Sequence, residues 1–295
     1  MPGDVRIGIS GWRYAPWRGE FYPKGLRQQD ELAFASRALP TIELNGSFYS
    51  LQTPARYAQW HDDTPEGFMF SVKAPRFITH VRRLREFEAP LANFLASGIF
   101  NLEEKLGPIL WQFPPSFTFN AETVEPFLAA LPHDTEAAGA IARRHDAHLK
   151  ERALVHAHGK WPLRHAMEIR NDSFVDAAFV ALLRRYKVAW VIADTAGKWP
   201  AYHDLTADFV YMRLHGDKEL YASGYTDQAL AVWAERVDAW RRGKQVRDAD
   251  LIADAAPARR ARDVFCYFDN DVKVKAPFDA ARLAKRLDVP QRLID

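Results

Sequence analysis

Tyr211-Met212-Arg213-Leu214-His215 decides the fold. On a β-strand, side chains two apart share a face roughly 6–7 Å from one another. Tyr211, Arg213 and His215 therefore line one side, while Met212 and Leu214 line the other. Working outward, the same division recurs. Thr41-Ile42-Glu43-Leu44-Asn45 sets Glu43 and Asn45 against Ile42 and Leu44. Glu168 pairs with Arg170, Ser71 with Lys73, and Trp190 and Ile192 with Asp194, while Gln112 faces away from Trp111 and Phe113. In at least five of the strands, apolar residues face the helices while charge appears at the last few positions on the opposite face.

Eight such runs are legible, over 5–10, 41–45, 68–73, 108–113, 164–170, 188–194, 209–215 and 264–269. Helical patterns separate them at 29–38, 54–62, 90–97, 121–131, 176–186, 226–242 and 278–286. Strands that alternate with helices predict a parallel sheet. The length of 295 residues suits one β/α barrel, which needs roughly 250. The expectation is a single TIM-type (β/α)8 domain over 1–295 with an insertion at about 132–163, between the fourth and fifth strands. Within it, AAGAIARRHDAHLKERALVHAHGK reads as an extra helix with a basic face. A second long connection, 74–89, holds Arg76, His80, Arg82, Arg83 and Arg85.

Hydrophobic residues make up 48% and aromatic residues 13% of the chain, enough to fill a barrel and seat its outer helices. Lys and Arg number 40 against 38 Asp and Glu, so no global field demands a nucleic-acid partner. The lone Cys266 excludes an intramolecular disulfide, and Phe265, Tyr267 and Phe268 around it mark a buried strand position. No run approaches the ~18 apolar residues of a membrane span, and the opening residues lack a signal-peptide pattern. A cytoplasmic protein without a membrane partner is expected.

Active sites of β/α barrels lie at the carboxyl ends of the strands, and burying so many ionisable groups without use is costly. The expected site places Glu43, Glu168 and His215 as acid–base groups. Lys73, Arg170 and Arg213 would hold a phosphate or carboxylate. Asn45, Gln112, Asp194 and Asn270 would add polar contacts, and Trp12, Tyr49 and Tyr221 could stack on a sugar-like ring. The competing structural expectation is an internal salt-bridge layer, with Glu43 or Glu168 neutralising Lys73, Arg170 or Arg213. No cofactor is expected. A divalent ion held by Glu43, Glu168, Asp194 and His215 is the metal alternative, opposed by the nearby cations. Two further readings stay open. One is a nucleic-acid phosphodiesterase gripping phosphates through the basic runs at 76–85 and 143–152; the other is a barrel that binds a ligand without turnover. Lys73 could also form a Schiff base with a carbonyl.

The chain also resembles the domain-of-unknown-function 72 family of YecE-like barrels. The resemblance lies in Gly8-Ile9-Ser10-Gly11-Trp12 with Tyr14 and Trp17, Phe21-Tyr22-Pro23, Glu43-Leu44-Asn45 with Phe48-Tyr49, and Phe70-Ser71-Val72-Lys73 with Thr79-His80. It continues through Gln112-Phe113-Pro114-Pro115, Glu168-Ile169-Arg170, Asp194, Arg213-Leu214-His215-Gly216, and Phe268 with Asn270. It implies a β/α barrel and brings no activity. Asn171, Asp269 and Asp279 depart from the pattern, standing where histidine, asparagine and asparagine are usual.

Overall fold

The computed structural model describes residues 1–289. Eight parallel strands close into a barrel in sequence order: β1 (Val5–Ser10), β2 (Thr41–Leu44), β3 (Met69–Lys73), β4 (Leu106–Gln112), β5 (His165–Glu168), β6 (Val188–Asp194), β7 (Phe209–Leu214) and β8 (Asp263–Phe268). The α-helices are α1 (Glu31–Ala38), α2 (Gly46–Tyr49), α3 (Pro54–Asp63), α4 (Glu88–Ala96), α5 (Ala121–Ala130), α6 (Thr135–Ala142), α7 (Ala177–Arg185), α8 (Asp227–Arg241) and α9 (Ala276–Arg286). The expected (β/α)8 architecture is therefore present. None of these helices is long and apolar enough to cross a membrane.

The chain divides into two compact units, Met1–Glu43 with the chain from Val175 onward, and Leu44–Phe174. In the first unit, β1 pairs with β2 and β8, and β6 and β8 flank β7. Gly8 is required where β1 meets β2, because a Cβ there would come within 1.9 Å of the Thr41 carbonyl oxygen. Tyr211 and Tyr267 pack with ring centroids 5.1 Å apart, and the Tyr267 hydroxyl lies 2.9 Å from Thr41 Oγ1. Cys266 is fully buried between Ile7 and Met212 in register, and burial pushes its thiol far up.

In the second unit, β4 lies between β3 and β5. Trp111 turns toward the helices, edge-on to Phe94 of α4 and Phe127 of α5. Its indole N–H donates to His165 Nδ1 at 3.1 Å, while His165 Nε2 donates to the Pro132 carbonyl at 2.6 Å. Those two partners fix the neutral Nε2–H tautomer.

Several strands end earlier than expected. Asn45, Arg170, His215 and Asp269 lie just beyond their strands, and Asn45 is helical, capping α2. The 132–163 insertion forms a shorter helix than expected, α6, followed by one 3-10 turn at Ala147–Leu149. Asp146 explains the break. Its carboxylate accepts from His148 N at 2.8 Å and Asn93 Nδ2 at 3.0 Å, a local bonding pattern that competes with helix.

Burial lowers the fully buried His165 to about 4, against an ordinary value of about 6.5. Protonation thus favours the unfolded chain, so this residue's contribution to stability is level above pH 6.5 and falls as pH drops toward 4. Urea titrations are expected to show a loss of about 3 kcal/mol across that window from this residue. His165→Gln should flatten the slope, and an unchanged slope in the variant would refute the assignment.

Candidate functional site

The first unit gathers its charged residues around Glu43. Its Oε1 accepts from Ser10 Oγ at 2.7 Å and Arg213 Nη2 at 2.8 Å. Its Oε2 accepts from the Tyr211 hydroxyl at 2.7 Å and Arg213 Nε at 3.0 Å. Arg213 Nη2 also reaches Asp269 Oδ2 at 2.9 Å. The Glu43 and Arg213 side chains are 0% and 1% exposed, so they face each other as a buried pair. This matches the salt-bridge expectation for this pair. The same-face argument holds within β7, since Tyr211 and Arg213 converge on one carboxylate.

Beyond the strand, His215 Nδ1 lies 3.0 Å from Asp269 Oδ2 and its ring packs edge-on to Tyr221 at 5.3 Å. Asp271 sits beside Asp269, and burial with that neighbouring carboxylate holds its carboxyl well above the usual range. The Tyr14 hydroxyl donates to the Ser10 carbonyl at 2.5 Å, and its phenol is pushed up by burial and by the charges of Asp271 and Asp269. This group of acids escaped sequence reading because nothing local marks Tyr14 as a neighbour of Asp271, 257 positions on.

The second unit collects cations at the ends of β3 and β5. Lys73 Nζ lies 4.4 Å from the Phe48 ring centroid, and the His80 ring meets Phe48 edge-on at 5.1 Å. Tyr49, 72% exposed, also meets Phe48, with ring centroids 5.1 Å apart and the rings perpendicular. Arg170 clasps Glu168 at 2.7 Å, and Gln112 is in register with Glu168. Burial, Lys73, Arg170 and Arg76 together lower His80 to about 4. His80 belongs to a π-helical turn, Phe77–Val81, and its Nδ1 is 2.9 Å from Thr79 Oγ1. Sequence reading placed His80 in a basic run without a role.

The remaining expected residues have other partners. Asp194, ending β6, accepts from the Tyr225 hydroxyl at 3.1 Å, and burial raises its carboxyl. Asn270 is fully buried and donates to Ser223 O at 3.0 Å and Asp279 Oδ2 at 2.9 Å. Asp279 also accepts from Tyr225 N at 3.0 Å, so Asn270 and Asp279 together pin the loop ahead of α8. Trp12 is buried, and its carbonyl accepts from the Tyr22 hydroxyl at 2.6 Å. Among the described residues, the acids and histidines spaced to share a cation are His61, Glu103 and Glu104. That set does not include Glu43, Glu168, Asp194 or His215. The Lys105 ammonium sits on the His61 carbonyl at 2.6 Å.

Comparison with known proteins gives a consistent family. The family model described as "Protein of unknown function DUF72" matches residues 6–294. UPF0759 protein YunF of Bacillus subtilis is 33% identical over 125 residues, 41% of this chain and 43% of that protein. UPF0759 protein YecE of Escherichia coli is 26% identical over 113 residues, 38% of this chain and 39% of that protein. These matches thus span about two-fifths of either relative. A crystal structure of a DUF72 family protein from Thermotoga maritima superposes with a TM-score of 0.72 at 24% identity, covering 97% of this chain and 99% of that one. One from Enterococcus faecalis gives 0.69 at 19% identity, covering 97% and 96%. At these identities the likeness speaks for the fold.

Removing one partner of a buried ion pair leaves the other charge uncompensated, at a cost of about 3–5 kcal/mol. Arg213→Met is expected to lose that much in denaturant titration. A loss below about 1 kcal/mol would mean that the pair is solvated and open.

Proposed function

We propose, from the premise that this chain belongs to the protein family of unknown function DUF72, that it is an enzyme using acid–base chemistry on a small molecule bearing a phosphate or carboxylate. The observation that carries this reading is the charge around His80. Lys73, Arg170 and Arg76 all act on a half-buried imidazole, with Glu168 as the opposing charge. An anion placed among these groups relieves their mutual repulsion. Lys73 would supply a compact point charge, and Arg170 a planar donor suited to two oxygens. Tyr49 offers an exposed ring against which a sugar-like body could lie.

The same charges suggest how proton transfer is timed. Without substrate, His80 stays neutral at pH 7. A bound anion offsets the cations, so the ring regains proton affinity and becomes a usable acid only in the complex. The Glu168 carboxylate, held by Arg170, would be the accepting partner. In this reading the acid–base pair is Glu168 with His80, and His215 supports the Glu43–Arg213–Asp269 network.

Inorganic phosphate is the first probe. With His80 followed by NMR, saturating phosphate should raise its titration midpoint by about one unit or more toward 6.5. Lys73→Met should weaken phosphate roughly tenfold, whereas Glu168→Gln, which removes a like charge, should bind at least as tightly. An unmoved midpoint at saturation sinks the proposal. Steeply salt-dependent binding of duplex DNA, with no response to phosphate, would replace it with a nucleic-acid reading.

A further inference from the structure

A separate cavity of about 290 Å³ opens within the first unit, between the end of β6, the loop after it and α8. Its lining includes Asp194, His203, Ala229, Val232, Trp233 and Arg236. The chemistry of these walls is asymmetric. Trp233 is buried, with the Arg236 guanidinium 4.9 Å from its ring centroid. Asp194 accepts from the Tyr225 hydroxyl at 3.1 Å and from Ala196 N at 3.4 Å. Asp194 is thus occupied by these two donors.

Two donors remain for a ligand. Arg236 Nη2 pairs with Asp248 at 2.7 Å, but Arg236 Nε is buried and meets no acceptor among the described residues. A buried charged N–H without an acceptor is costly and calls for a partner. His203 Nδ1 accepts from Asp250 N at 3.2 Å, and burial together with Arg236 lowers the proton affinity of the ring. Its proton therefore sits on Nε2, a second donor. Val232 and Ala229 supply an apolar surface beside these polar groups.

We propose that this cavity is a binding site for a small carboxylate with an aromatic or branched apolar body, its charge on Arg236 Nε and His203 Nε2 and its body against Trp233, Val232 and Ala229. Inorganic phosphate has the charge without the body, and a neutral alcohol has the body without the charge. The size is at the low end of small-molecule pockets, so the ligand is a single-ring or short-chain acid. The site does not rest on the reading of the Lys73 cluster.

Benzoate is the probe, measured by calorimetry and ligand-observed NMR in a Lys73→Met background so that the other cluster does not contribute. Saturable binding is expected, with phosphate and benzyl alcohol competing poorly. Arg236→Lys keeps the charge but removes the Nε–H, and should weaken benzoate roughly tenfold or more. Ala229→Leu fills the cavity without touching a charge or breaking helix propensity, and should also abolish binding. Unchanged melting temperatures would separate these losses from unfolding. No saturable binding by the folded protein overturns the proposal. So does full binding by both variants, or equal competition by phosphate.

Discussion

Arg213 keeps a full charge where 1% of its side chain meets solvent, and it can do so because Glu43 answers it with both oxygens. Everything around the pair is arranged to complete that neutralisation. Ser10 and Tyr211 spend their hydroxyls on the same carboxylate, and Asp269 takes the guanidinium's remaining reach. Four strands of the first unit, β1, β2, β7 and the end of β8, are thereby tied through one set of charge-assisted hydrogen bonds. Replacing such a network with apolar side chains need not destabilise a protein. Its value lies in register, because a slip by one residue would turn Arg213 away from Glu43.

The two units use the same residue types for opposite ends. In the first, the Arg213 guanidinium is answered by the carboxylates of Glu43 and Asp269. In the second, cations outnumber the carboxylate they surround, and burial together with that imbalance depresses an imidazole. An imbalance of charge, rather than charge itself, separates a group arranged for a partner from one arranged for the fold.

The barrel was legible because alternation along a strand is a local property. Val5–Ser10 and Val188–Asp194 begin and end as their residues imply. The inward set Tyr211 and Arg213 was readable for the same reason. Pairing was not, since Arg213 and Glu43 stand 170 positions apart and nothing in either segment names the other. The inserted helix was overestimated because its end depends on Asp146 meeting Asn93, a contact from 53 positions away. His80 escaped for a related reason: its significance comes from Lys73 and Arg170 at the ends of two different strands, while its own neighbours read as a solvated basic run.

Cys266 stands at the centre of β8, enclosed by its neighbours and held in the unreactive thiol form. A sulfhydryl reagent can reach it only when the strands around it part. With no other cysteine in the chain, the rate of alkylation becomes a clock for opening of the native wall, readable on unmodified material and unconfused by a second label.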